Sequence, residues 1–483
     1  MATAEHSAQE RSDSSELEAR MQRIEAFVAA TRQAVFVREA DQVLMIRPDK
    51  TLGINATAAS ILQALYARDG AGVVQVLATL GGRWQVAEQR LLDDTEALLD
   101  TVRALFNEDY TARPNLRLTD FDRGRVRFPT LAEIALTYGC QNRCQFCYAS
   151  SPRREHERRP MTTAQVMQVM DKIFHQAHVP SLSFTGGEST LRPDLGQLIA
   201  HGKRLGLRTN LISNGLRLAD ASFARSLVDA GLDSAQISLE AAQAEVHDRI
   251  VGKSGAHART VEGVRQLQRL GIHVHTNTTL CADNLDLAPD LLHFVARDLG
   301  LSTLSMNMVI RTGEALGRPP IGVRYSQVAR RLPSLLELAR DLELRLVWYS
   351  PIPYCMFNPA LHGQGAKSCA CVDGILSVDP TGQVLPCSSF EQGLGSLLDE
   401  DYATIRHSRA ARYWHRREYV PAPCQHCPDL DLCAGACPLY WDAAGSFAEI
   451  PRPGSDDARA YARWQRRRRK GGSFGVPAHM EVS

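Results

Sequence analysis

The amino-acid sequence predicts an α/β protein built around an incomplete parallel (β/α)6 barrel of the TIM type, with a small winged-helix-like α+β unit before it and a cysteine-rich extension after it. Three observations lead there. Between residues 131 and 350, short apolar or β-branched runs near 132–136, 181–185, 208–213, 234–239, 273–280 and 302–307 alternate with amphipathic helical stretches, the pattern of parallel strands joined by crossover helices. Residues with chemical potential follow the ends of those runs, where such barrels gather their functional groups. From 351 to 450 the periodicity gives way to Cys, Pro and Gly, as expected where metal sites take the place of an apolar core.

The elements follow in chain order. Residues 1–33 predict a leader helix, with Met21, Ile24 and Phe27 at spacing three. Residues 34–106 predict two strands, AVFV and QVLMI, and three helices, the first in NATAASILQALYARDG. A polar linker over 107–130 leads to the barrel at 131–350, the cysteine-rich domain at 351–450 and a basic tail at 451–483 containing the run Arg466 to Lys470.

Bulk composition narrows the function classes. The chain has 483 residues, 44% hydrophobic and 23% charged, with 55 basic and 54 acidic residues for a net charge of +1. That balance gives no overall drive toward nucleic acid or an anionic membrane. No apolar run approaches the roughly 18 residues of a membrane span, and the first 33 residues lack a signal-peptide core, so a cytoplasmic location is expected. In that reducing compartment the twelve cysteines read as metal ligands, and eleven of them fall within 140–147 and 355–437.

Cys140, Cys144 and Cys147 in TYGCQNRCQFCYAS put three thiolates on one tight loop directly after the first barrel strand. Three sulfurs can hold three irons of a [4Fe-4S] cube and leave the fourth open to an exogenous ligand. A structural zinc site is the rival, but it usually asks for four ligands. With Phe146 before the last cysteine, the loop resembles that of the radical S-adenosylmethionine (SAM) enzymes. The resemblance implies that SAM chelates the open iron and that an electron from the reduced cluster cleaves it to a 5'-deoxyadenosyl radical. It further implies a site for the SAM ammonium at Gly186, Gly187 and Glu188, a ribose contact at Ser213 and Asn214, and a SAM contact at Ser238. Read alone, the Gly-Gly-Glu and Asn-Gly stretches fit turns equally well. Ser189, Glu240 and Val251 stand where relatives often have proline, aspartate and arginine; Arg249 and Arg311 are the nearby substitutes for the last. Cys281, at the end of the fifth strand, reads as a buried thiol or as a hydrogen-atom donor.

The remaining cysteines form a second signature: Cys371, Gly382, Cys387, then Cys424, Cys427, Cys433 and Cys437. It resembles the SPASM extension of radical SAM enzymes, which holds one or two auxiliary [4Fe-4S] clusters. On that resemblance the first auxiliary cluster uses Cys371, Cys387 and Cys437 with Cys369 or Cys355, and the second uses Cys424, Cys427 and Cys433. The full pattern has one more cysteine after Cys437, and this chain has none, which leaves Asp442, Glu449, Asp456 or an open iron; a zinc ribbon is the rival for Cys424 to Cys437. Residues 34–106 resemble the peptide chaperone of pyrroloquinoline quinone biosynthesis, which implies capture of a precursor leader as an added strand. The expected function is a radical SAM peptide maturase that crosslinks a ribosomally made precursor peptide, served by an electron donor such as flavodoxin or ferredoxin. Its alternatives are action on a folded protein or a tetrapyrrole, and a non-catalytic peptide-binding scaffold.

Overall fold

In the computed structural model, which describes residues 2–46, 50–67, 72–106, 127–154, 159–365 and 367–470, the chain divides into two units, Met1–Phe128 and Pro129–Ser483. The linker expected over 107–130 lies outside the described residues up to 126, as does the tail from 471.

The first unit has helix α1 (Ala2–Thr31), strands β1 (Val35–Arg38), β2 (Val43–Ile46) and β3 (Lys50–Gly53), and helices α2 (Ala56–Tyr66), α3 (Val73–Trp84) and α4 (Glu88–Phe106). The strands form an antiparallel sheet in the order β1-β2-β3. The turn into β2 is fixed by Arg38, whose Nε donates to Asp41 at 2.7 Å with both side chains out of water. Asn55 starts α2 by accepting the Ala58 amide at 2.8 Å, a side-chain cap on an otherwise orphaned donor. Two features differ from the sequence expectation. The strand β3 pairs with β2 through Met45↔Thr51 and Leu44↔Leu52, yet all four of its residues are half-buried, so it carries no alternation to read. And α1 is not a separate leader: Ile24 and Val28 lie in one core with Leu44, Leu62, Leu77, Leu92 and Val102. Each such side chain contributes about 1.5–3 kcal/mol on burial, and the α1 stripe has this core to cover it.

The second unit holds a ten-stranded sheet. The six expected strands are β4 (Leu131–Ala135), β5 (Ser181–Thr185), β6 (Arg208–Ser213), β7 (Ser234–Ser238), β8 (His273–Leu280) and β9 (Thr303–Met308). They are extended by β10 (Arg345–Trp348), β11 (Ile375–Val378), β12 (Gln383–Leu385) and β13 (Gly395–Ser396), in the order β10-β9-β8-β7-β6-β5-β4-β11-β12-β13. All pairs from β10 to β11 are parallel, and β12 and β13 are antiparallel. Thus β11, from the cysteine-rich region, pairs with β4, and Ser377 donates to Glu133 at 2.6 Å across that seam. One face of the sheet is apolar and fully buried under the crossover helices, with Ile134, Leu182, Phe184, Leu211, Ile237 and Leu304.

Metal sites do not take the place of a core beyond residue 350. Trp441, Phe447, Tyr461 and Trp464 are buried in contact with one another. Tyr461 and Trp464 belong to the helix Ala458–Lys470, so part of the stretch expected as a tail is anchored. Trp464 Nε1 donates to the Tyr419 carbonyl at 2.7 Å and the Tyr461 hydroxyl to the Trp441 carbonyl at 3.0 Å. Aromatic rings with one polar tip fill such a small core because few of them are needed, and this leaves no helical or strand period in the sequence.

Candidate functional site

Because β4 to β9 are parallel, their C-terminal ends meet on one rim. Cys140, Cys144 and Cys147 follow β4, Gly186 to Glu188 follow β5, Asn214 follows β6, and Glu240 and Cys281 follow β7 and β8. The cysteine loop is held by main chain. The Gly187 amide donates to the Thr137 carbonyl at 2.7 Å and the Glu188 amide to the Gly139 carbonyl at 2.8 Å, while the amides of Arg143 and Gln145 bond the carbonyls of Val251 and Ile250. A Cβ on Gly186, whose φ is +135°, would stand 2.3 Å from the Thr137 carbonyl oxygen; one on Gly187 would stand 2.4 Å from that of Gly139. The backbone that these glycines admit is that of the cysteine loop itself.

The three thiols act on one another. Burial and then the charges of its two neighbours push Cys144 up, and Cys140 is raised by burial, by Glu188 and by Cys147. Raised in this way the thiols keep their protons until a metal binds, and ligation releases those protons to solvent. Cys140 Sγ accepts from the Asn142 amide at 3.4 Å and faces Asn214 Nδ2 at 3.9 Å. Phe146 is half-buried in the turn between Cys144 and Cys147. Val251 is buried beside Cys144 with Leu216 and Ala256, so it forms a wall. Arg249 pairs with Asp283 at 3.5 Å, and Arg311 reaches the Ala443 carbonyl at 3.4 Å.

Glu188 is held in place by neighbouring donors. Its Oε1 accepts from the Thr190 amide (3.0 Å), the Thr190 hydroxyl (2.7 Å) and the Ser213 hydroxyl (2.9 Å), and its Oε2 from the Asn214 amide (2.8 Å). Three of these donors converge on Oε1 and one on Oε2, which among the described residues leaves Oε2 room for a further donor such as an ammonium. Ser213 donates to Glu188 and accepts from the Gly215 amide, so it ties strand ends together.

The C-terminal cysteines fall into two sets. Cys371 Sγ lies 3.3 Å from Cys369 Sγ, Cys371 also contacts Cys387, and Cys437 feels the charges of Cys369 and Cys387. In the second set Cys424 interacts with Cys433, Cys355 and Cys427. Among the described residues no group of three or more His, Cys, Asp or Glu side chains is arranged around a single metal ion.

Comparison with known proteins gives this geometry a family context. The model of the radical SAM superfamily matches residues 134–295, and that of the SPASM iron-sulfur cluster-binding domain matches residues 369–428. The chain carries a radical SAM domain and a SPASM domain. A PqqA peptide cyclase of Rhodopseudomonas palustris is 28% identical over 323 residues, 64% of this chain and 82% of the relative. An AdoMet-dependent heme synthase of Oleidesulfovibrio alaskensis is 26% identical over 332 residues, 65% and 84% of the two chains. The fold matches that of Streptococcus suis SuiB, solved bound to its precursor peptide SuiA, with a TM-score of 0.63 at 14% identity over 84% of this chain and 95% of that one.

The radical SAM domain binds a [4Fe-4S] cluster with SAM, and the SPASM domain binds auxiliary clusters. The donors fit these groups, since every set is made of thiols alone, the soft ligands that select iron-sulfur clusters. Several residues of the radical SAM domain had not stood out in the sequence. The sheet face opposite the apolar one is polar: Asn210 Nδ2 donates to Ser183, Ser234 to Asn210 Oδ1, Ser305 to Asn277 Oδ1, and Asn277 Nδ2 to Asn307 Oδ1. Ser238 shares this face, opposite Asn277 in the ladder. The signal was present in HVHTNTTL of β8, where His275, Asn277 and Thr279 alternate with buried residues. Glu240 is buried with the Thr279 amide donating to Oε2 at 2.8 Å, and burial raises its carboxyl to about 8. Tyr148, next to Cys147, hydrogen-bonds Ser388, next to Cys387, beside a cleft lined by Glu133, Tyr138, Gly186 and Ser377.

Proposed function

We propose that this chain is a peptide maturase, in which the radical SAM domain reductively cleaves SAM and a ribosomally made precursor peptide is the substrate. When bound, the cluster and SAM supply a 5'-deoxyadenosyl radical able to take hydrogen from an unactivated carbon. Cys140, Cys144 and Cys147 hold the cluster's three liganded irons, and the main-chain bonds from residues 185–188 and 250–251 fix that loop before any ligand arrives. The polar sheet face from Ser183 to Asn307 orients the substrate, and the apolar face opposite keeps water from the strands. At neutral pH the Glu240 carboxyl keeps its proton, so it adds no negative charge beside Cys144.

The observation that carries the reading is the three-thiol loop on the rim of the sheet in the segment that matches the radical SAM superfamily. The peptide substrate is supported by the PqqA peptide cyclase relative and by the first unit, where among the described residues β1 and β3 each pair with β2 alone, and a sheet edge of that kind can accept an added strand. A low-potential protein such as flavodoxin or ferredoxin supplies the electron. A tetrapyrrole substrate is the second reading, favoured by the heme synthase relative at nearly the same identity.

The test uses reconstituted full-length protein with SAM and dithionite. It should yield 5'-deoxyadenosine, and Cys144→Ala should yield none; absence of the product from cluster-replete protein would sink the enzyme assignment. Precursor peptides encoded beside the gene should bind and change mass on turnover. Failure of all of them, with turnover of a porphyrin instead, selects the second reading.

A further inference from the structure

The second SPASM sulfur set, Cys424, Cys427 and Cys433, is one cysteine short of four, and the downstream carboxylates were the sequence's substitutes. Glu449 is spent elsewhere: its Oε1 accepts the Tyr440 hydroxyl at 2.7 Å and its Oε2 the Ser326 amide at 3.1 Å. An upstream thiol is closer to the set. The Tyr354 amide donates to Cys433 Sγ at 3.5 Å, which lays the chain just before Cys355 against that sulfur. Cys355 itself lies in electrostatic reach of Cys433 and Cys424. The Arg452 guanidinium hydrogen-bonds Cys355 and acts on Cys424 and Cys427, so one cation faces the same group of sulfurs. Cys355 is not needed by the first set, where Cys369 sits 3.3 Å from Cys371 beside Cys387 and Cys437.

We propose that Cys355 is the fourth ligand of the second auxiliary cluster, taking the place of the cysteine missing after Cys437. The inference rests on the SPASM assignment and extends it to a residue outside the matched segment 369–428. On ligation the Cys355 thiol gives its proton to solvent and its sulfur bonds iron, and no electron moves. Four thiolates leave that cluster without an open iron, so it exchanges electrons and does not bind substrate. Arg452 offsets part of the thiolate charge and raises the potential. Cys355 is exposed while Cys424 and Cys433 are buried, which turns one corner of the cluster to solvent, the side from which a redox partner can reach it.

The experiment uses the full chain with Cys140, Cys144 and Cys147 replaced by Ala, so that reconstitution fills the auxiliary sites alone. This parent should hold two clusters, about eight irons per chain. Cys355→Ala should lose about half of the iron or, where the iron stays, give a [3Fe-4S] electron paramagnetic resonance signal after mild ferricyanide oxidation that the parent does not give. Cys355→Ser should keep the iron and shift one auxiliary midpoint potential downward, and this variant decides the matter should Cys355→Ala also lose the first cluster through misfolding. Asp442→Ala and Asp456→Ala should match the parent. The proposal is overturned by a Cys355→Ala chain with parental iron and no [3Fe-4S] signal, by an unshifted Cys355→Ser, or by either Asp variant reproducing the loss. A parent with only about four irons would instead remove the second cluster, and the SPASM assignment of that set, before Cys355 is at issue.

Discussion

Cys144 and Cys433 carry the same thiol, but the chain holds them by different means. The loop around Cys144 continues the ladder of the sheet, with amides of residues 187 and 188 on one side and carbonyls of 250 and 251 on the other. Positive φ falls on Gly186 beneath the loop, where it costs little, and on Ser150 at its far end. Cys433 ends a four-residue helix, Leu430–Cys433, and the next turn puts two alanines at positive φ, Ala434 at 55° and Ala436 at 63°; in the other set Val372, next to Cys371, stands at 64°. A β-branched residue in that region is strained by about 1–3 kcal/mol, which metal ligation can offset. The radical SAM loop is therefore preorganised by the sheet, whereas the SPASM cysteines rely on aromatic packing and on the clusters.

Four substitutions test that contrast. Trp441→Ala should have the largest effect, because the fully buried ring packs on Tyr325, Tyr440 and Phe447 four residues after Cys437, and its Nε1 donates to the Gly435 carbonyl at 2.8 Å. A loss of about 3–5 kcal/mol is expected in chemical denaturation, with auxiliary iron lost and the cluster at Cys140 to Cys147 retained. Gly187→Ala should do the reverse. Its Cβ would meet two carbonyl oxygens, of Gly139 at 2.4 Å and Tyr138 at 2.6 Å, so the cysteine loop must move at a cost of about 3 kcal/mol. Spectroscopy should then find the auxiliary clusters intact and SAM cleavage gone; auxiliary loss equal to that of Trp441→Ala would erase the distinction between the two regions. Glu188→Gln trades an acceptor for a donor amid four chain donors and should cost about 1–3 kcal/mol, read as a lower melting temperature together with weaker SAM binding.

The smallest expected change is in pH dependence. Glu240 ionises near 4.5 when unfolded and near 8 when folded, so between those values the folded chain binds more protons than the unfolded one. Its contribution to stability is complete below about pH 4.5 and is lost as pH rises through about 8. Glu240→Gln should flatten that decline in melting curves taken across the window, while leaving the Thr279 amide an acceptor. A slope equal to that of the parent chain would mean that the carboxyl is solvated.

Much of this architecture could be read from residue order. The six strands from β4 to β9 were legible because each is an apolar or alternating run followed by an amphipathic helix, and the cysteine loop because its spacing is local. Other elements depend on partners far along the chain. The four residues of β3 and of β11 become strands through pairing, with β2 and with β4, and nothing in LSV or KTL alone demands it. At Glu188 the spacing marks a carboxylate after Gly-Gly, but it does not show that Thr190, Ser213 and Asn214 also bond it. Cys355 was ambiguous for the same reason, since separation along the chain does not reveal which sulfurs it meets.

The seam between β4 and β11 joins Glu133 to Ser377 across 244 residues. Closing so long a loop is slow, and a contact of this kind forms late. During synthesis β4 would present a bare edge until residues 375–378 emerge, and pairing with another chain is the hazard of that interval. Loading of the first cysteine loop can precede this event, while the cysteines beyond residue 350 gain their sites only around it. The seam therefore predicts an order of maturation, with the first cysteine loop loaded before the later sulfurs, which iron content of chains truncated before residue 375 would check.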